Sequence, residues 1–392
     1  MASLHENNHK WHFYSDGERS EMSIYLDNAT TTFPKPGEII SAMVDFSKDC
    51  GMLPTNLYLC QQAQKSKEII SDTKHFLTQL ISGTNPDGFH LTYGATNSLE
   101  KLLPAMLNPG DRIIISQTDS QPIQHIAHTL EAKGIAVTSL PFDEEYSVSL
   151  SSLEKVIPKS KAVILSHCNN ITGSVIKAEE IGKICEKAGS HFILDASNTI
   201  GAYDIDATKT LADAILVSGH KHLFTHTGIG AVWVGKDLSE TIQKNNRNCF
   251  PLSQILEPPT PNLIGAVTLL AGLKFVVREG VKKIRDHHLY LRESLLQALD
   301  MIKDVIVYAR DAYNGAGIVS MSVKDMPSNT ISRLLEERYG IIIGSGMFNN
   351  EGTIKALKAY PSGVLRVSFG FFNTVSDIEY FATSLARMVG KH

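Results

Sequence analysis

The sequence predicts an α/β protein: a large domain built on a mostly parallel sheet, followed by a smaller C-terminal α+β domain. Three observations carry this expectation. From about residue 88, short β-rich runs alternate with helix-period segments, the pattern of a sheet covered by helices. Beyond Pro261 the pattern changes to long helices, then strands, then a closing helix. The chain has 392 residues, which at ~150 residues per domain leaves room for two or three domains with substantial cores. The division expected is 1–23 as a flexible extension, 24–262 as the large domain and 263–392 as the small one, with 24–50 free to pack against the small domain.

Taken in order, Met1 to Ser23 is polar and rich in His, Asn and Glu, without the apolar stretch of a secretory signal. The expected strands of the large sheet are Phe89–Thr92, Arg112–Ser116, Ile135–Ser139, Ala162–Ser166, His191–Asp195, Ala214–Ser218 and Ile229–Val234. Between them lie helical patterns such as Ala178–Ala188, where Ile181, Ile184 and Cys185 share a face and Gly189 supplies the stop. The second part reads as helices at Leu263–Val277 and His288–Ile302, strands at Ile318–Val323, Gly340–Ile343 and Leu365–Phe369, and a helix from Val375.

Composition excludes several classes. An apolar fraction of 43% with 20% charged residues is globular, not disordered. The 37 basic and 41 acidic residues leave a net charge of -4 with no basic block, so neither nucleic acid nor anionic lipid is an expected partner. The longest apolar stretch, Leu263 to Leu273, stops well short of the ~20 residues of a membrane span. Five cysteines (Cys50, Cys60, Cys168, Cys185, Cys249), odd in number and without a Cys-x-x-Cys pair, suggest free thiols in a reducing cytoplasm and no zinc site.

Open α/β sheets bind ligands outside the carboxyl ends of their strands, and three strand ends carry polar residues. After Phe89–Thr92 comes Gly94-Ala95-Thr96-Asn97 opening a helix, whose free N–H groups and Thr96 hydroxyl can cradle an anion. Alone, that reads as ordinary capping. The strand His191–Asp195 ends in a carboxylate with Asn198 three residues on; alone, this is another cap. Ser218-Gly219-His220-Lys221 places a lysine directly after an apolar strand; alone, it is a surface charge. Together, an anion cradle, an acid and an amine on one sheet edge are the parts that hold pyridoxal 5'-phosphate (PLP): phosphate on the helix, a carboxylate on the pyridine nitrogen, a lysine on the aldehyde.

With these residues assembled, the chain resembles the class V aminotransferase family of fold-type I PLP-dependent enzymes, and within it the cysteine desulfurase branch. The resemblance runs from Tyr25-Leu-Asp-Asn-Ala-Thr-Thr-Thr-Phe-Pro-Lys-Pro36 through Asn169-Asn170-Ile-Thr-Gly173, Asp195-Ala-Ser-Asn198, Ser218-Gly-His-Lys221 and Thr260-Pro-Asn262 to Leu365-Arg-Val-Ser-Phe-Gly370. It implies that Lys221 is the catalytic, Schiff-base lysine, that Asp195 pairs with the pyridine nitrogen, and that Asn198 stands where relatives have a Gln. Ala95, Thr96, Ser218 and His220 would hold the phosphate, completed by Thr260 of the other subunit, so a homodimer with shared active sites is implied. Arg366 would receive a substrate α-carboxylate, a task suited to a planar guanidinium. Asn170 and the Ala29–Thr30 turn would line the same pocket.

The departures are as informative. Where relatives place a ring-stacking His, an ungapped alignment gives Asp119-Ser120-Gln121, so Ser120 faces the cofactor instead. Where relatives carry the persulfide-forming Cys, the aligned stretch Gly344-Ser345-Gly346-Met347-Phe348-Asn349 puts Asn349. A family segment with Arg and His reads Pro54–Leu59 here, and the Gly-rich loop before Thr260 is replaced by Asn245–Pro251. Cys249 and Cys168 remain as alternative nucleophiles, with buried packing as their default role. The resulting expectation is a PLP-dependent enzyme acting on an amino acid or small amine by β-lyase (C–S lyase) or aminotransferase chemistry, without a protein persulfide. The alternatives are a desulfurase with a relocated Cys, and a partner protein that kept the fold without turnover.

Overall fold

A computed structural model describes residues 23–49, 60–83, 85–143, 146–245, 250–311 and 315–390. The expected extension, apart from Ser23, the Pro54–Leu59 segment, Cys50 and Cys249 lie outside the described residues. The chain opens with β1 (Ile24–Tyr25), α1 (Gly37–Asp49) and α2 (Gln61–Leu80). Then come β2 (Phe89–Thr92), α3 (Ala95–Met106), β3 (Arg112–Ser116), α4 (Gln121–Glu131), β4 (Ala136–Leu140), α5 (Leu150–Val156), β5 (Ala162–Ser166), α6 (Ala178–Ala188), β6 (His191–Asp195), α7 (Ala207–Thr210), β7 (Ala214–Ser218) and β8 (Gly230–Val234).

These strands form one seven-stranded sheet in the order β2-β8-β7-β6-β5-β3-β4. It is parallel from β7 to β4, while β8 runs antiparallel to both β7 and β2. Strands β5 and β7 are buried at every position; helices cover both faces, which is why Ala-Val-Ile-Leu and Ala-Ile-Leu-Val read as continuous apolar runs. The edge strand β4 is exposed or half-buried at every position but its last. Gly189 ends α6 in the left-handed conformation at φ 67°, the stop that the sequence indicated.

The rest of the chain comprises α8 (Lys236–Asn245), α9 (Leu252–Leu256), α10 (Leu263–Glu279), α11 (Val281–Asp300), β9 (Val305–Tyr308), β10 (Ile318–Val323), α12 (Ser328–Tyr339), β11 (Ile341–Ile342), β12 (Gly344–Gly346), α13 (Glu351–Ala356), β13 (Val364–Ser368) and α14 (Val375–Val389). A second, antiparallel sheet has the order β12-β13-β10-β9. The expected strand Gly340–Ile343 is the shorter β11, which pairs with β1, and the strand that follows it, β12, pairs with β13 and was not expected. Strand β9 carries no clear alternation, and its residues are half-exposed on a sheet edge.

Packing crosses the boundary drawn at 262/263. Ala266, Leu269, Leu273, Phe275 and Val276 of α10 share the core beneath the seven-stranded sheet, whereas Leu291, Leu295 and Leu299 of α11 pack under the second sheet. The contact is close: a β-carbon on Gly272 of α10 would run into the carbonyl of Leu223, two residues after Lys221. The N-terminal strand goes the other way, since Leu26 joins the core of the second sheet and Asp27 bridges to Ser368. No helix among the described residues is long and apolar enough to cross a membrane.

Candidate active site

The carboxyl ends of β6 and β7 and the amino end of α3 meet on one edge of the large sheet. Asp195 closes β6 in register with Leu216 of β7. Its Oδ1 accepts from Ser197 N (3.0 Å) and Ser197 Oγ (2.5 Å), while Ser218 Oγ donates to Ser197 Oγ at 3.1 Å. Ser218, expected at a phosphate, is thus tied through Ser197 to the carboxylate. Lys221 follows β7 by three residues and its Nζ donates to Asn198 Oδ1 at 2.8 Å. Burial holds the Lys221 pKa down at about 8, with Asp195 opposing the shift and Arg366 adding to it.

The backbone of that lysine is clamped. His220 O accepts from Thr31 Oγ1 (3.0 Å) and Thr32 N (3.1 Å), and Lys221 O accepts from Thr32 Oγ1 (2.8 Å). Lys35 also points here, its Nζ 3.2 Å from Thr32 Oγ1, and burial lowers its pKa to about 8. His220 is held to about 4, by burial first and then by the charges of Lys221 and Lys35. It is therefore a neutral imidazole at neutral pH.

Helix α3 begins at Gly94 (φ 138°) without a capping side chain, leaving the N–H groups around Ala95 and Thr96 free for an anion. The approach depends on a second glycine: a β-carbon on Gly230 would run into Val217 O and lie 2.7 Å from Gly94 Cα. Thr96 and Thr260 are both exposed, and Thr260 O accepts from Tyr93 Oη of the same chain at 3.5 Å. A cavity of about 450 Å³ beside Tyr93, lined by Lys74, Glu257, Pro259 and Asn262 among others, does not include Lys221, Asp195 or Arg366.

Arg366 of β13 reaches the same region from the second sheet. Its Nη1 donates to Asn170 O at 2.9 Å, and its Nη2 to Asp27 Oδ1 and Thr30 Oγ1, both at 2.6 Å. The Phe348 ring lies 4.2 Å from Cζ. Ala29 N is held by Ser368 Oγ at 2.8 Å. Asn349 follows Phe348 in a turn where both residues have positive φ, 49° and 51° respectively. Asn350 then anchors the turn by donating to Thr118 O (3.2 Å) and Asp119 O (3.0 Å). Ser120 caps α4 by position, and its Oγ lies 3.4 Å from Ser166 Oγ. Asp119 beside it is fully buried and accepts from Ser116 N and Ser166 N; burial raises its pKa to about 7 against those hydrogen bonds.

These residues fit PLP. The Nδ1 of His220 and Oδ1 of Asn170 are buried without a hydrogen-bond partner among the described residues, and buried polar atoms of that kind call for one. An unfilled helix terminus, a strand-end carboxylate and a desolvated amine complete the complement. Asp27 and Ser197 were not singled out from the sequence, and Phe348 was read only as a neighbour of Asn349. All three lie inside stretches quoted above, but a motif does not say that Asp27 pairs with a residue 339 positions away.

Residues 24–381 match the family model described as aminotransferase class V. The chain belongs to the class V aminotransferase family and is a PLP-dependent enzyme of that family. It is similar to a probable cysteine desulfurase of Pyrococcus abyssi, 27% identical over 93% of this chain and 94% of that one. Cysteine desulfurase IscS of Dictyoglomus turgidum is 23% identical over 95% of each chain. Among solved structures, the apo cysteine desulfurase of Thermococcus onnurineus NA1 superimposes with a TM-score of 0.86 at 23% identity, covering 94% of this chain and 95% of that one. That likeness shows the fold.

Proposed function

We propose that this enzyme acts on an amino acid or small amine by β-lyase or aminotransferase chemistry, and that it does not carry sulfur as a protein persulfide. The observation behind the first part is the convergence of a desolvated Lys221 amine with Asp195 and Arg366 at one sheet edge. Bound PLP supplies an electron sink for the bonds at the substrate Cα. Lys221 would hold the cofactor and, when freed, move the Cα proton, a role that a pKa near the working pH suits. Asp195, oriented by Ser197, would keep the pyridine nitrogen protonated. His220 and the α3 terminus would take the phosphate, with Thr260 of a second copy, and Arg366 would take the carboxylate.

Exposed Phe33, Ile40, Val44 and Ile264 around the α1–α10 face support the homodimer reading. The free thiols of Cys60, Cys168 and Cys185 support a reducing, cytoplasmic setting. The test of the enzyme reading is an absorbance spectrum of the purified protein. A near-visible band, fixed by borohydride onto Lys221 and displaced by particular amino acids, is the expected result; no band with added PLP would favour a partner protein without turnover.

A further inference from the structure

Arg366 is 1% exposed, and three of its five N–H donors are bonded, one on Nη1 and two on Nη2. A guanidinium offers a carboxylate two edges, Nε with Nη2 and Nη1 with Nη2. Nη2 belongs to both, and both its hydrogens are taken, by Asp27 and Thr30. Nε–H is buried with no partner among the described residues. So neither edge presents two free donors side by side, while one N–H of the Nε/Nη2 edge waits for an acceptor. Leaving a buried donor unpaired is costly, which points to an acceptor that arrives with the substrate.

We propose that Asp27 is a specificity-determining residue: its carboxylate holds the Nη2 corner of Arg366 until a substrate carboxylate replaces it, one oxygen on Nε–H and the other on the Nη2–H that Asp27 releases. This rests on the reading of Arg366 as the substrate's carboxylate partner. The exchange is feasible because the Asp27 side chain is 17% exposed against 2% for Arg366, so the displaced carboxylate turns toward water instead of being stranded in the protein. It also selects. A substrate without a carboxylate cannot repay the Asp27–Arg366 pair, and so gains nothing from opening it. The substrate class that follows is the free α-amino acid, not the simple amine. Phe348, lying over the guanidinium face, narrows entry to the edge that Asp27 guards.

Two oxyamines isolate the carboxylate. Aminooxyacetate and O-methylhydroxylamine both react with the cofactor carbonyl, but only the first carries a carboxylate. The ratio of their rate constants on the PLP-loaded enzyme, read from loss of the near-visible band and normalised to free PLP, measures carboxylate recognition. Asp27→Asn should raise this ratio about threefold or more, the scale of one partly exposed ion pair, and Arg366→Ala should reduce it to the free-PLP value.

Calorimetric titration of the cofactor-free protein with propionate reads the same competition without the cofactor. Asp27→Asn should bind propionate about threefold or more tightly than the wild type. An unchanged or lower ratio together with unchanged or weaker propionate binding in Asp27→Asn overturns the proposal, even where Arg366→Ala abolishes recognition. If Arg366→Ala leaves the ratio untouched, the carboxylate role of Arg366 fails and the proposal falls with it.

Discussion

The amine of Lys221 sits 2.8 Å from Asn198 Oδ1, a pairing of one residue that follows β7 with one that follows β6. A neutral amide neither neutralises nor fully solvates an ammonium, so burial dominates and the amine titrates at about 8, not at its usual 10.5. Only the unprotonated amine attacks an aldehyde. The rate of PLP loading, followed by stopped-flow absorbance, should therefore rise with pH and level off above about 8. The unfolded lysine keeps its proton to about 10.5, so in the window between these values this group's contribution to stability increases with pH. Lys221→Ala should lose all borohydride-fixed cofactor while keeping the wild-type circular dichroism. Attachment at Lys35, whose amine also titrates at about 8, would overturn the assignment.

Asp195 and Ser197 form the second test. The Asp195 carboxylate is fixed by two donors from one residue, Ser197 N and Oγ. Asp195→Ala removes the charge facing the pyridine nitrogen and should slow turnover by about a hundredfold or more, with weaker PLP retention on gel filtration. Ser197→Ala removes the hydroxyl donor to Asp195, and the acceptor of Ser218 Oγ with it, but leaves the backbone donor. Its loss should be about tenfold at most, the scale of one net hydrogen bond. Equal losses in both variants would mean that Ser197 does more than orient Asp195.

The packing behind Lys221 predicts a third outcome. Gly272 lets α10 lie against the Leu223 carbonyl with no room for a β-carbon, and Leu223 sits in the turn that Phe224 N closes by donating to Lys221 O. Gly272→Ala gains helix propensity in isolation, by up to about 1 kcal/mol. Overpacking should outweigh that gain, for a net loss of about 2 kcal/mol, measured by chemical denaturation. A rise in stability would mean that α10 shifts freely, and PLP loading would then be unaffected.

Much of this arrangement is legible in the sequence because its signals are local. Strand β7 and the Lys221 that follows it are a buried apolar run ending in a polar turn, and burial on both faces makes such a run visible. The α6 stop is a glycine where a left-handed residue is needed. What is not legible joins distant segments. Asp27 and Arg366 meet because the segment after β1 runs beside β13, Asp27 bridging to Ser368, and no periodicity encodes that. Helix α10 reads as the start of a new domain because its composition changes, yet its apolar residues and Gly272 serve the first core. Strand β9 was missed because an exposed edge strand has little alternation to display.

The last prediction concerns Asn349. Persulfide formation on the enzyme needs a thiolate that reaches the substrate sulfur, and Asn has neither sulfur nor an ionisable proton. The turn is also tethered: Phe348 stacks on Arg366, and Asn350, immediately after Asn349, is bonded to the carbonyls of Thr118 and Asp119. The buried cysteines among the described residues are poor substitutes. Burial pushes the Cys168 thiol up to about 12 even with Lys221 opposing the shift, and the Cys185 thiol also to about 12. Incubation with cysteine followed by peptide mass spectrometry should find no stoichiometric persulfide. Free sulfide with pyruvate would support β-lyase chemistry, and no consumption of cysteine would direct the search to other amino acids. A persulfide on Cys249, lost together with turnover in Cys249→Ser, would instead establish a desulfurase that has moved its nucleophile to the stretch ahead of Thr260.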